Sequence, residues 1–356
     1  MASEEAMKLG LMFFSSVDSS KDDKYGLLVR AARRADEGPF VAVWTPERHF
    51  HPFGGLFPNP AITTAAMATI TRRIQLRAGS LIVPLHHEVR VAEDWSVIDN
   101  LSGGRIAISF GSGWNIDDFA LWPDRYDHRR DLMFDQIQTI RHLWRGGTVD
   151  AKTPTGRPLA VRLHPAPMQT DLPVWITSSG DRRTFERAGS IGGNVLTHLI
   201  GQDLPSLVDK IEAYRRARVT AGVRGRGTIS LMLHSFVGES DDEVRELVRR
   251  PFTDYLVSAI SLEQAAAAGG GVVSGGRNLS TDDIPSDLVQ ELAEMSFERY
   301  YEHASLLGSP AKCIAFLRHL EQLGVDEIAC LIDFGVADDL VLAGLESLAE
   351  VAGAVT

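Results

Sequence analysis

A chain of 356 residues with 44% apolar and 23% charged residues can bury roughly three quarters of its unfolded surface, so it needs no covalent staples. Its formal charge of −11 argues against a nucleic-acid or anionic-membrane partner, either of which would want a basic face. Two cysteines, Cys313 and Cys330, exclude a disulfide framework and a multi-cysteine zinc site, and their apolar neighbours mark them as buried free thiols.

The N-terminal stretch MASEEAMKLG lacks the basic start and apolar core of a signal peptide. No apolar run reaches the ~20 residues of a membrane span, so a soluble, cytoplasmic protein is expected. Short, nearly continuous apolar runs predict strands at 8–14, 40–44, 74–79, 105–110, 173–177, 193–197, 228–237 and 325–332, as for strands covered on both faces. Between them, amphipathic stretches predict helices at 22–37, 59–72, 88–101, 128–145, 181–191, 203–220 and 240–258, then at 286–304, 309–323 and 338–352. Asn59-Pro60 and Ser309-Pro310 supply caps with first-turn prolines, and Gly324 ends the helix before the last strand. Trp95 and Trp144 read as core, and Asp241-Asp242-Glu243 as an acidic first turn.

Eight strands with intervening helices are the count for a (β/α)8 TIM barrel, an α/β fold in one domain over 1–356. An open doubly wound sheet is the rival. Two loop insertions break the rhythm. Residues 146–172 have no helical period, and Val149 and Val161–Leu163 can pair as a small hairpin. Residues 259–285 run through four alanines into GGGVVSGGRNLSTDD, a candidate mobile lid near 269–276.

In a barrel, chemistry collects beyond the strands' C-terminal ends. There the chain carries Ser15 and Ser16, then Glu47, Arg48, His49 and His51, then Gly79-Ser80 followed by His86, His87 and Glu88. Further along come Ser112-Gly113, Ser178-Ser179-Gly180 and Thr197-His198. The turn at Ser178–Gly180 opens a helix whose first residues include Arg182, Arg183 and Thr184. Backbone N–H groups and a helix dipole there can hold a phosphate; an ordinary serine N-cap is the plain alternative. The spacing fits neither a Walker nor a Rossmann fingerprint. Glu47, His49 and His51 admit three readings: an acid/base pair, a metal site completed by His86 and His87, or structural loop histidines. Carboxylates from other strand ends are lacking, so no metal is expected.

The stretches WTPERHFHPFGGLFPNP (44–60), 77–114 with its P-L-H, R-x-A-E, L-S-G-G-R and S-G-W motifs, 172–202, 296–313 and 323–335 resemble the bacterial luciferase-like flavin-dependent monooxygenases. Within that family the chain is similar to the branch associated with polyketide and nonribosomal peptide biosynthesis. The likeness covers nearly the whole chain, and the ordered combination is specific where each motif alone is weak. It implies a barrel that binds reduced FMN at the strand C-termini, a separate flavin reductase, O2 activated as a flavin C4a-hydroperoxide, and a homodimer.

By position, the resemblance implies that Gly79-Ser80 is the bulged, often cis, peptide supporting the isoalloxazine ring. It implies Ser112 and Gly113 near the ribityl or phosphate end, and Ser178, Ser179, Gly180 and Thr184 around the phosphate. Thr197 and His198 count with the cofactor-facing residues, and Glu47 and His49 face the pocket. His49 is the first choice for proton donor or base, because histidine alone titrates near neutrality unperturbed. Luciferases carry Glu-His-His where this chain reads Glu47-Arg48-His49. Arginine is no base but pairs with an anion, which points away from long-aldehyde chemistry and toward an anionic group on the substrate or the flavin peroxide.

The expected function is an FMNH2-dependent two-component monooxygenase acting on a natural-product biosynthetic intermediate, free or tethered to a carrier protein. The alternatives are a deazaflavin-dependent oxidoreductase of the same superfamily, a metal-dependent hydrolase built on the histidines, and a non-catalytic flavin-binding protein. A carrier protein would want a basic docking patch, and Arg215, Arg216 and Arg218 read instead as a solvated helix face.

Overall fold

The computed structural model describes residues 6–15, 22–268 and 286–355. From Lys8–Met12 (β1) the chain passes through Gly26–Glu37 (α1), Ala42–Thr45 (β2), Pro60–Ile70 (α2), Gln75–Ile82 (β3), Glu88–Ser102 (α3), Ile106–Gly111 (β4) and Arg129–Trp144 (α4). An antiparallel hairpin of Val149–Lys152 (β5) and Pro158–Val161 (β6) precedes Val174–Thr177 (β7), Arg182–Ser190 (α5), Asn194–His198 (β8), Leu204–Thr220 (α6) and Ile229–Val237 (β9). Then follow Asp241–Ala268 (α7), Ser286–His303 (α8), Leu306–Gly308 (β10), Pro310–Gln322 (α9), Glu327–Leu331 (β11) and Asp338–Val355 (α10).

The ring order is β1-β2-β3-β4-β7-β8-β9-β11 and back to β1, every pairing parallel. The barrel is therefore closed, and the open-sheet alternative is excluded. The continuous apolar character of the strands has a direct cause. Leu76, Ile106, Ile108 and Val174 point outward onto the helices, while Trp44, Ala107, Trp175, Leu196, Ala329 and Leu331 fill the interior.

The hairpin forms with Val149 opposite Val161. Three features differ from the sequence reading. The three-residue β10 adds to the end of β9 and is too short to carry a pattern. Helix α7 continues through residues 259–268, where the sequence predicts the start of a loop insertion; that stretch lacks a breaker and ends in four alanines, the best helix formers. The glycine-rich segment 269–276 lies outside the described residues. Nor are the three arginines of α6 all solvated: Arg218 is buried, donating to the carbonyls of Gly193 and Arg224, and Arg215 binds the Gly324 carbonyl. Only Arg216, paired with Glu212, stays on the surface. Cys313 and Cys330 are buried, and burial pushes both thiols up to about 12. Among the described residues no helix is long and apolar enough to cross a membrane.

The N-terminal end of the barrel is stoppered by a polar network. Arg77 Nη1 donates to Glu327 Oε1 at 2.6 Å, and its Nε and Nη2 donate to Gln75 Oε1. Its guanidinium lies 4.6 Å from the Trp44 ring and 4.4 Å from the Trp175 ring. Ser230 Oγ donates to Glu327 Oε1 and accepts from Trp175 Nε1. Each of the three nitrogens of this buried arginine has an acceptor, and its counter-charge is a single carboxylate, so removing Glu327 is expensive. Glu327→Ala is expected to cost roughly 3–5 kcal/mol in urea unfolding, because it strands a buried cation; a loss below about 1 kcal/mol would show that the network carries little.

Candidate functional site

Barrel closure gathers the loops after the strands at one mouth, where a cavity of about 540 Å3 opens, within the usual range for small-molecule sites. Among the described residues four cationic side chains line it, Arg48, Arg129, Arg130 and Lys210, against two acidic ones, Glu47 and Asp181. The cavity is locally positive in a chain of net charge −11.

The loop after β2 supplies the densest chemistry. Glu47 is 3% exposed. Its Oε1 lies 2.9 Å from His49 Nε2 and 2.6 Å from His86 Nε2, and its Oε2 accepts the Ile82 N–H at 2.6 Å. Burial works to raise this carboxyl, but the two imidazole hydrogen bonds and the Ile82 N–H outweigh it, holding Glu47 below the usual carboxylate range. For His86, burial pulls downward, and the hydrogen bond and charge of Glu47 win, raising it. Glu47 lines the cavity; His49 does not, and meets it only through Glu47. His51 turns inward to accept the Phe53 N–H on Nδ1, and burial with the nearby Arg48 lowers it. His87 caps α3 by accepting the Val89 N–H. Among the described residues no group of three or more His, Cys, Asp or Glu is arranged to hold a metal ion.

Arg48 is 5% exposed and lines the cavity. Its Nη1 donates to Asp118 Oδ2 at 2.7 Å, and Asp118 also accepts from Asn115 Nδ2. Burial lowers Arg48 and raises Asp118, as it must for charges taken out of water.

The peptide bond between Gly79 and Ser80 is cis, and the β3–β4 register shifts between Gly79 and Leu81. A Cβ on Gly79 would stand 2.9 Å from the Trp44 ring, so only glycine fits. At Gly113, with φ +76°, a Cβ would come within 2.8 Å of both Ile82 and Phe119. Arg129 Nε holds the Gly113 carbonyl at 2.8 Å. Ser80, Ser112 and Gly113 all line the cavity.

Across the mouth, Ser178, Ser179, Gly180 and Thr184 line it too. The cap of α5 is not a serine: Asp181 accepts the Arg183 N–H on Oδ1 and the Thr184 hydroxyl on Oδ2, each at 3.1 Å. Arg182 pairs outward with Glu186, and neither it nor Arg183 lines the cavity. The positive charge at this turn comes instead from Arg130, 3.8 Å from Asp181, and from Lys210, whose Nζ donates to Gln202 Oε1 at 2.8 Å. Thr197 accepts from Gln202 Nε2 at 3.0 Å. His198 accepts the Ile200 N–H on Nδ1, and burial pulls it down to about 4, so it is neutral.

Sequence reasoning passed over His86 as a partner of Glu47, and over Arg129, Arg130, Lys210 and Tyr255. One signal was present: Arg129 and Arg130 open α4, where cations oppose the helix dipole and so have some other use. The rest depend on elements far apart in sequence.

The family model for luciferase-like monooxygenases matches residues 7–327. A flavin-dependent trigonelline monooxygenase, oxygenase component, of Acinetobacter baylyi is 22% identical over 91% of this chain and 88% of its own. Among solved structures, monooxygenase RslO1 of Streptomyces bottropensis superposes with a TM-score of 0.76 at 22% identity, over 97% and 98% of the two chains. The oxygenating constituent of 3,6-diketocamphane monooxygenase from Pseudomonas putida, solved with FMN, gives 0.75 at 16% identity, covering 99% of each. An F420-dependent secondary alcohol dehydrogenase gives 0.70 at 16%, again over 99% of each. These likenesses establish a shared fold.

The Glu47–His86 pair carries a testable pH dependence. A histidine raised in the folded state contributes stability in full below its unfolded value near 6.5, and loses it as pH climbs through the raised value. His86→Gln is therefore expected to cost roughly 1.5–3 kcal/mol at pH 6, the worth of a charged hydrogen bond, and distinctly less at pH 9. Urea midpoints that fall equally at both pH values would contradict the pairing.

Proposed function

The chain belongs to the luciferase-like monooxygenase family, and from that premise we propose that it is the oxygenase of a two-component system. In this reading it takes FMNH2 from a separate flavin reductase and acts on a biosynthetic intermediate. The observation that carries the reading is the division of one cavity into a backbone platform at Gly79-Ser80 and a cationic turn at Ser178–Gly180.

The residues present fit FMN. The platform offers bare backbone at Gly79, where a Cβ would run into the Trp44 ring. The turn offers the hydroxyls of Ser178 and Ser179, with Arg130 and Lys210 as counter-charge to a phosphate dianion. Thr184 would join by releasing Asp181. Ser112 and Gly113 border the span between, and Thr197 and His198 close the far wall. Bound reduced flavin would supply the two electrons that let one atom of O2 enter the substrate while the other leaves as water.

The chain's own part is positioning, exclusion of water and proton handling. Glu47 is the buried one of the two carboxylates that line the cavity, and His49 and His86 hold it ionised from behind. In this reading His49 serves Glu47 as proton reservoir and does not meet the reactants itself. The reading is tested by titrating the protein with FMN and FMNH2, and with a deazaflavin, and then supplying a reductase. Flavin binding with O2 consumption above the free-flavin background is expected. Tight deazaflavin binding without FMN binding would decide for the deazaflavin alternative. In the same assay Glu47→Gln is expected to lower turnover by about 10²-fold or more, the low end for a proton-transfer group, with FMN affinity unchanged; undiminished turnover would remove Glu47 from the chemistry.

A homodimer is part of the proposal. Helix α2 carries no charged residue, and Ile62 on it, with Val97 and Leu101 on the adjoining α3, is exposed. An uncharged apolar helix face asks for cover. Leu101→Asp is expected to shift sedimentation from dimer to monomer, and a monomeric parent protein would contradict the proposal.

A further inference from the structure

The mouth of the barrel has a second side. The Ser178–Thr184 turn follows β7, whereas Phe14 follows β1, Arg48 and Phe53 follow β2, and Tyr255 descends from α7 after β9. In the ring order β9, β11, β1 and β2 are contiguous and lie across from β7. On this side the wall is aromatic. Phe14 and Phe53 meet edge to face with centroids 5.2 Å apart, and Phe53 and Tyr255 do so at 4.8 Å.

Arg48 stands at the end of that wall, with its guanidinium 5.8 Å from the Phe14 ring and 5.1 Å from the Trp114 ring. Among the described residues only Nη1 has a side-chain acceptor, Asp118. Nε is buried with no partner, and Nη2 takes no acceptor among the described residues. The contrast with Arg77, whose three nitrogens are all satisfied, is informative. A chain that can fully satisfy one buried arginine leaves another half-satisfied where the cavity opens, and unmet buried donors are normally filled. The Tyr255 hydroxyl also makes no hydrogen bond to a described residue. Burial, with the Asp333 carboxylate close by, pushes it above its usual range, so it stays a neutral donor. The turn at Ser178–Gly180 has its own cations in Arg130 and Lys210, which leaves the free Nη2 edge of the Asp118-paired Arg48 for another anion.

We propose that this side is the substrate subsite, shaped for a planar, apolar molecule carrying one ionised oxygen, a carboxylate or phenolate, that Arg48 pairs with and Tyr255 hydrogen-bonds. The wall of Phe14, Phe53 and Tyr255 takes the ring system. The guanidinium fork, pinned by Asp118 through Nη1, presents its Nη2 N–H groups to the anion. The proposal deepens the monooxygenase reading and rests on it only for the word substrate.

The test is calorimetric titration of the full chain, with and without FMN, using 2-naphthoate and its neutral counterpart 2-naphthamide as probes. The parent protein is expected to bind the naphthoate at least ~10-fold more tightly, the scale of a charge-assisted hydrogen bond. Arg48→Met should erase that preference, and Tyr255→Phe should weaken both probes. Because Arg48→Met strands Asp118, the double variant Arg48→Met/Asp118→Asn removes both charges together and should show the same loss of preference with FMN affinity kept. Equal affinities in the parent protein, or a preference that survives in the double variant, would overturn the proposal. A double variant that loses FMN instead would assign Arg48 to the cofactor and overturn it too. Absence of FMN binding by the parent would sink the cofactor reading alone, since the naphthoate preference is read without FMN as well.

Discussion

One carboxylate organises the candidate site. Glu47 is buried, yet its oxygens are shared among two imidazoles and a backbone N–H, so its charge survives without solvent. Each partner comes from a different piece of chain: His49 from its own loop, His86 from the turn after β3, and Ile82 from the end of β3 itself. The Ile82 bond ties the β2 loop to the strand that carries the Gly79-Ser80 bulge. The Gly79-Ser80 bulge and the buried, cavity-lining carboxylate are thus fixed relative to one another by a single side chain, at the C-terminal rim of the barrel. At the other end Arg77 and Glu327 close the interior. Between these two polar stoppers the barrel is filled by Trp44, Trp175 and smaller apolar side chains, and the rim keeps its geometry because that filling leaves it no room to shift.

Charge is partitioned in the same spirit. The net negative charge of the chain lies largely outside the mouth, whose lining has more cations than anions. Two of those cations would serve a phosphate, one is tied up in holding the Gly113 loop, and Arg48 is left beside an aromatic wall. A cofactor with an anionic tail and a substrate with an anionic head can then share one cavity without competing for the same counter-charge. Asp181 caps α5 with a carboxylate. A phosphate at that turn would therefore be drawn by the guanidinium and ammonium groups more than by the helix dipole.

Much of this was legible in the sequence because the barrel is built from local rules. Strands buried on both faces must be short and apolar, and most of the eight read that way; the Val149–Val161 pairing followed from a stretch without helical period. Gly79 and Gly113 stood at strand ends, where their need to avoid Trp44, Ile82 and Phe119 could be suspected but not seen. What stayed hidden is relational. That His86 and not His49 alone would share Glu47, and that Tyr255 would reach from α7 to meet Phe53, are facts about side chains far apart in the chain; the Asp181 cap is local, two and three residues from its partners, and was masked by the serines that precede it. The extension of α7 was hidden for another reason: a run of alanines has strong helical propensity and no amphipathic period.

The central claim is that FMN occupies this cavity in one orientation, and a crystal structure of the protein with FMN tests it most directly. The account predicts the phosphate within hydrogen-bonding distance of Ser178 and Ser179, near Arg130 and Lys210, with the ring system lying against Gly79-Ser80 and the Phe14–Phe53–Tyr255 wall left open. A flavin phosphate bound at Arg48, or a flavin ring stacked on that aromatic wall, would contradict it.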